Sequence, residues 1–150
     1  MLFSIVTITY NASRTLQRTL DSVACQTHRP IQHLIIDGAS QDATVSIAEA
    51  YKQRVGDTKA SSGYEVVVLS EPDKGLYDAM NKGLKMATGD YVLFLNAGDA
   101  LHDATLSYLK RFTYAVLKPG ETLAIEPDYM KLTDNRFGFG KKLIWDNTKK

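Results

Sequence analysis

The chain has 150 residues, 44% apolar and 23% charged, the balance of one soluble globular domain and not of a disordered or collagen-like polypeptide. A formal net charge of +1 gives no general attraction to nucleic acid or an anionic bilayer, and no apolar run reaches membrane-spanning length. Cys25 is the single cysteine, which excludes an internal disulfide; it falls on the apolar side of a helical pattern, and a buried, inert thiol is expected.

Phe3 to Thr9 is rich in β-branched residues and ends in Tyr10-Asn11, which predicts a first strand. Asn11 or Ser13 can cap a helix whose apolar positions Leu16, Leu20, Val23 and Ala24 share one face. His28-Arg29-Pro30 ends it. A second strand, Gln32 to Ile36, runs into Asp37-Gly38 and a helix bearing Val45, Ile47, Ala48 and Tyr51 that extends to about Val55. Gly56 to Gly63 is small and polar, so a surface loop is expected before a third strand, Glu65 to Ser70.

Glu71-Pro72-Asp73-Lys74-Gly75 leads to a helix on which Tyr77, Met80, Leu84 and Ala87 share a face, Asn81 lies one turn from Tyr77, and Gly89 is a C-terminal stop. Tyr91 to Leu95 is too short for a helix and lacks polar alternation, so it reads as a strand buried on both faces and ending at Asn96-Ala97-Gly98-Asp99. A last helix is expected from about Asp103 to Leu117, carrying Leu106, Leu109, Phe112 and Val116. Strands alternating with helices predict an α/β fold with a parallel sheet, one compact domain over 1–117. Residues 118–150 read as an irregular segment in which Thr122 to Ile125 is a short-strand candidate and Leu143-Ile144-Trp145 either forms a hairpin or covers the sheet. Lys141, Lys142, Lys149 and Lys150 read as a solvated tail, and the N-terminus lacks the basic flank of a signal peptide, which predicts a cytosolic domain.

All four strands end in residues able to hold something polar, on the edge of a parallel sheet where ligands bind. Carboxylates from separate strands, a tyrosine ring and a lysine suit a ligand with an aromatic base, hydroxyls and a metal-bridged phosphate chain. Other phosphate-binding designs are absent: there is no G-x-G-x-x-G after the first strand, no G-x-x-x-x-G-K-[ST], and no G-x-S-x-G elbow. His28, His33 and His102 show no metal-ligand spacing and read as surface or loop residues. Gly98, Asn96 and Asp99 would hold a hard ion, Mg²⁺ or Mn²⁺, through one carboxylate with phosphate oxygens completing its shell.

The run Ser4-Ile5-Val6-Thr7-Ile8-Thr9-Tyr10-Asn11, then Leu20-Asp21-Ser22-Val23, Gln26-Thr27 and Ile35-Ile36-Asp37-Gly38-Ala39-Ser40-Gln41-Asp42-Ala43-Thr44 resembles the donor-binding half of glycosyltransferase family 2, the inverting GT-A enzymes. Glu71 to Gly83 and Ala87 to Asp99 resemble the subgroup that builds exopolysaccharide and colanic-acid-like repeats, the likeness covering about residues 3–107. The resemblance implies a GT-A, Rossmann-like open sheet with flanking helices, its C-terminal acceptor half missing or divergent. It also implies transfer of a sugar, with inversion, from a nucleotide-diphosphate sugar to a saccharide or lipid-linked acceptor.

Residue by residue, it implies that Thr9 and Tyr10 line the nucleoside pocket, that Asp37 accepts a hydrogen bond from base or ribose, and that Asp73 and Asn81 are further contacts. Asn11, Lys74 and Asn96 complete the expected substrate-binding set, with Asp99 the metal carboxylate and Mg²⁺ or Mn²⁺ the cofactor. Two positions depart from the family: Asp37-Gly38 stands for the frequent Asp-Asp, and the D-x-D place keeps only its last carboxylate. Nothing after Leu117 matches the half that carries the catalytic base; Asp128 and Asp134 read as solvated loop residues. The competing reading is a truncated or degenerate nucleotide-sugar-binding module without catalysis of its own, and a receiver-like or flavodoxin-like domain is the weakest of the three. A missing lower half would expose apolar surface and favour self-association; a lipid-linked acceptor would bring the protein to the inner face of the membrane.

Overall fold

The computed structural model describes residues 1–59, 63–103, 105–107 and 144–146. Its elements alternate as β1 (Phe3–Thr9), α1 (Leu16–Ala24), β2 (Ile31–Asp37), α2 (Thr44–Lys59), β3 (Tyr64–Ser70), α3 (Leu76–Met86) and β4 (Tyr91–Phe94), with a short β5 (Ile144–Asp146). The sheet order is β3-β2-β1-β4-β5. The first four strands are parallel, and β5 pairs antiparallel to β4, Trp145 opposite Val92.

Each of the four parallel strands faces two layers, which is why the apolar runs show no polar alternation. Phe3, Ile5, Ile31, Ile35, Leu93 and Leu95 meet Leu16, Leu20 and Val23 of α1 and Ala48, Tyr51 and Val55 of α2 on one face. Val6, Ile8, Leu34, Ile36, Val92 and Phe94 meet Ala79, with Met80, Leu84 and Met86, of α3 on the other. Each fully buried leucine or isoleucine in these layers contributes about 2 kcal/mol by leaving water. Gly83 lets α3 come close to β1, since a Cβ there would collide with Val6 Cγ1 and stand 3.1 Å from Cγ2.

A polar chain crosses the α1/α2 layer. Thr7 Oγ1 lies 2.8 Å from His33 Nε2, His33 Nδ1 2.9 Å from the Tyr51 hydroxyl, and that hydroxyl 2.5 Å from the hydroxyl of Tyr64. Burial lowers the His33 pKa to about 3, so the ring is neutral, and desolvation raises those of Tyr51 and Tyr64, the latter to about 12. One neutral imidazole thus ties β1, β2, α2 and β3 together.

Several expectations change in the folded chain. The first residue outside α1 is Thr15, which makes no side-chain cap bond, so neither Asn11 nor Ser13 caps the helix. Cys25 is exposed, because it follows α1 at the cap rather than continuing its buried stripe. Instead of a loop from Gly56, α2 continues to Lys59, a single mid-helix glycine being tolerated at about 1 kcal/mol. Tyr77 is 78% exposed: the face of α3 against the sheet is centred on Ala79 and Gly83, which lets the helix approach where a large side chain could not. Gly89 is not a left-handed stop; a Cβ there would stand 2.6 Å from the Ser4 nitrogen, so the residue allows close chain contact. His33 is wholly buried within β2, neither a surface nor a loop residue, whereas His28, though 6% exposed, does lie in the loop between α1 and β2. The last helix is described only over 105–107, with Leu106 fully buried; Leu109, Phe112, Val116, Thr122 to Ile125, Asp128 and Asp134 lie outside the described residues. Ile144 and Trp145 join the sheet as its antiparallel edge.

Candidate functional site

From β1 the chain steps outward through β2 to β3, then returns across the sheet by α3 to place β4 on the other side of β1. That reversal opens a crevice at the carboxyl ends of the central strands, the general ligand position in open α/β sheets. A cleft of about 520 Å³ occupies it, lined by Ile8, Thr9, Tyr10, Gly38, Pro72, Asp73, Gly75, Leu76 and Asn96. All four parallel strands therefore deliver residues to one cavity, of a size that suits a small ligand.

The walls follow from local hydrogen bonding. Asn11 and Ala39 both adopt left-handed backbone, φ 46° and 61°, and the turns they make face each other. The Asn11 N–H donates to Ser40 Oγ at 2.8 Å, the Gln41 N–H to Asn11 Oδ1 at 2.9 Å, the Ala12 N–H to Thr44 Oγ1 at 2.8 Å, and the Ser13 N–H to Asp42 Oδ2 at 3.2 Å. Asp42 also accepts from the Thr44 hydroxyl and N–H, and these bonds, the hydroxyl foremost, lower its pKa to about 2. The loops after β1 and β2 are thereby stitched together, leaving Tyr10 65% exposed beside the cavity.

Asp37 does not line this cavity. It is 1% exposed, and its carboxylate accepts the Ser40 N–H at 2.9 Å, the Ser40 hydroxyl at 2.5 Å and the Ser70 hydroxyl at 2.7 Å. It is the brace of the β2 and β3 ends, while Gly38 forms the wall itself. A Cβ on Gly38 would stand 2.7 Å from Asp73 Oδ2 and 3.4 Å from Tyr10 Cδ2, so the missing side chain lets that carboxylate and that ring come together. Asp73 Oδ1 accepts the Gly75 N–H at 2.9 Å. Gly75 has φ 112° and precedes α3 directly, a conformation that favours glycine.

Of the expected substrate residues, Thr9, Tyr10, Asp73 and Asn96 meet in the cleft. Asn11, Asp37, Lys74 and Asn81 are not in its lining; Asn11 staples two loops, and Lys74 and Asn81 are exposed. Lys82 is the cation that organises the third wall: its Nζ donates to the Pro72 carbonyl at 2.9 Å and to Glu71 at 3.0 Å, and the Glu71 bond raises its pKa. Thr9 Oγ1 is a buried hydroxyl without a hydrogen-bond partner among the described residues. Ile8, Gly75 and Leu76 line the cleft without belonging to the expected set, and Gly38 and Pro72, noted only as neighbours of Asp37 and Asp73 at the strand ends, form part of its walls.

Asp99 is half-buried in the turn after β4, where Gly98 has φ 99° and the Asp99 N–H donates to the Asn96 carbonyl at 3.0 Å. Among the described residues no three His, Cys, Asp or Glu side chains gather as a metal site. One carboxylate on a tight turn, with the Asn96 amide in the adjoining cleft, is a hard-oxygen donor set; it fits an ion whose shell is mostly phosphate oxygens and water.

A 3-2-1-4 parallel sheet with a strand-end cleft at its switch point defines a Rossmann-like α/β domain. The profile of glycosyl transferase family 2 matches residues 4–114, and the chain belongs to that family of glycosyltransferases (EC 2.4.-.-). It is 37% identical over 112 residues to a PGL/p-HBAD biosynthesis glycosyltransferase of Mycobacterium tuberculosis, covering 74% of this chain and 41% of that one. It is 39% identical over 101 residues to the amylovoran biosynthesis glycosyltransferase AmsB of Erwinia amylovora, covering 67% and 32%. The crystal structure of S. aureus TarS 1-349 in complex with UDP-GlcNAc superposes with a TM-score of 0.64 at 27% identity, over 77% of this chain and 32% of that one. The chain thus spans less than half the length of these relatives, and the sheet is the GT-A-like, open parallel arrangement expected. Among the described residues no helix is long and apolar enough to cross a membrane.

Proposed function

We propose that this chain binds the donor of a glycosyl transfer, a nucleotide-diphosphate sugar, in the strand-end cleft, and that the protein it serves passes the sugar with inversion to a saccharide or lipid-linked acceptor. The observation that carries the reading is the convergence of Thr9 and Tyr10, Gly38, Asp73 and Asn96, from four separate strand ends, on one cavity of about 520 Å³. Tyr10 offers a ring face to the base. Asp73 accepts from a base N–H or ribose hydroxyl, which favours uracil or guanine, whose ring N–H groups donate, over adenine and cytosine, whose corresponding nitrogens accept. Asp37 supports that wall from behind.

Asp99 is the carboxylate that would hold Mg²⁺ or Mn²⁺ against the diphosphate, and such an ion would offset charge on the departing diphosphate. The general base that takes the acceptor hydroxyl proton is not assigned to any described residue. Were the acceptor lipid-linked, the domain would work at the cytoplasmic face of a membrane. The test is calorimetry of the chain with UDP and GDP, with and without Mn²⁺. Binding of one in the micromolar range, strengthened by Mn²⁺ and with the enhancement lost in Asp99→Ala, is expected; no binding of either refutes the reading.

A further inference from the structure

The loop that carries Asp99 is held from beneath by one helix. Thr19 Oγ1 accepts the Gly98 N–H at 2.9 Å, Ser22 Oγ the Leu101 N–H at 3.0 Å, and Gln26 Oε1 the Leu106 N–H at 3.1 Å. Gln26 Nε2 completes the set by donating to the carbonyl of His102 at 2.7 Å and of Ser22 at 3.1 Å. The Ser22 hydroxyl proton is directed to the Thr19 carbonyl, 2.7 Å away, which leaves its oxygen to receive Leu101. Thr19 and Ser22 share a face of α1, and Gln26 continues that line just beyond its end.

Thr19 and Gln26 are 0% and 2% exposed, and polar side chains that deep cost stability unless hydrogen-bonded. Their accepting atoms all serve the main chain of a segment nearly eighty residues further on. From the other side, β1 receives the Leu95 N–H on the Val6 carbonyl and the Ala97 N–H on that of Ile8. The segment is fixed at five amides, and at Gly98 it holds φ 99°, which only glycine adopts readily. Ordering such a turn when a ligand arrives would subtract from affinity; ordering it during folding does not.

We propose that Thr19, Ser22 and Gln26 are positioning residues, a cradle that holds the Asp99 turn in its donor-binding shape before the donor arrives, without touching the donor. This rests on the reading of Asp99 as the metal carboxylate, and the variants below keep the two separable. Thr19→Val preserves shape and volume and removes the acceptor; Thr19→Ser restores it. In the ligand-free chain, Thr19→Val is expected to speed amide hydrogen exchange at Gly98 and Leu101 while the β1 and β2 amides keep their protection, and Thr19→Ser to restore it. With UDP as the probe, the Mn²⁺-dependent gain in affinity should fall about tenfold in Thr19→Val, the effect of one unpaired amide, with metal-free UDP affinity within about twofold of wild type.

Wild-type exchange at Gly98, or faster exchange with unchanged Mn²⁺-supported binding, would overturn the cradle. An equal loss of metal-free and Mn²⁺-supported binding would overturn it too, since that is the mark of general damage. If Asp99→Ala keeps the Mn²⁺ gain while Thr19→Val loses it, the cradle stands and the metal falls to another group.

Discussion

A methyl group at position 38 would stand 2.7 Å from Asp73 Oδ2, 3.3 Å from Asp73 Cγ and 3.4 Å from Tyr10 Cδ2. Gly38 has no left-handed backbone, so Gly38→Ala introduces no backbone strain, and the smaller freedom of the unfolded alanine chain adds about 0.4–1 kcal/mol of stability. Against this, the Asp73 carboxylate must swing away, breaking its 2.9 Å bond from the exposed Gly75 N–H, which water then satisfies at a cost of about 0.5–1 kcal/mol. The two nearly cancel, and thermal unfolding should shift by no more than about 3 °C. Donor binding does not share the cancellation: losing a charge-assisted hydrogen bond from the nucleotide to the Asp73 carboxylate costs about 1.5–3 kcal/mol, a rise of roughly 10- to 100-fold in Kd. Calorimetry with UDP and GDP beside a thermal scan measures both. A folded Gly38→Ala chain that binds the preferred nucleotide with unchanged Kd would refute the assignment of Asp73 and Tyr10 to the donor, and a large fall in Tm would refute the claim that the space at position 38 is reserved for the ligand site.

Gly83→Ala probes the opposite case, because its Cβ meets Val6 in the closed core between α3 and β1; urea titration should register a loss of about 1–3 kcal/mol despite the better helix propensity of alanine. His33 makes stability depend on pH. Its folded pKa of about 3 lies below the unfolded value near 6.5, so its contribution is complete above pH 6.5 and declines by up to about 1.4 kcal/mol per unit as pH falls toward 3. Urea midpoints between pH 7 and 5 should show that slope in the wild type and a shallower one in His33→Gln; parallel profiles would contradict it. Lys82→Met, which releases the Pro72 carbonyl and Glu71, should weaken UDP binding by about three- to tenfold with little effect on Tm, since its contacts are largely exposed.

Phe3–Thr9 was legible to the residue because a buried parallel strand is written as a β-branched run, and β2 and β3 were each found within one residue for the same reason. The strand-end location of the site followed from that alternation of elements. What composition could not convey was the direction of individual side chains. Asp37 looks like a ligand carboxylate until Ser40 and Ser70 are seen to occupy it, and Ser70 is 33 positions away. Lys74 looked like the useful cation, whereas Lys82, one helical turn beyond Asp78, reaches back to hold the loop. Gly89 was read as a helix stop, yet it serves, as Gly83 does, to let another chain segment come near. The overrun of α2 has the plainest cause: Gly56 and its polar neighbours weaken a helix without being obliged to end it.

The two lips of the cleft are secured differently. On the side of Tyr10 and Gly38, four bonds join turns about thirty positions apart, so that rim is set by the fold as a whole. On the side of Pro72 to Gly75, past the anchor of the Glu71 N–H on the Asp37 carbonyl, the ties run to Asp73, Asp78 and Lys82, all within ten positions. A visiting molecule therefore meets one jaw already fixed and one able to settle against it as a small self-contained unit. Changes in donor preference are accordingly most accessible to substitution in the second jaw, where a new side chain can be accommodated without unpicking the sheet.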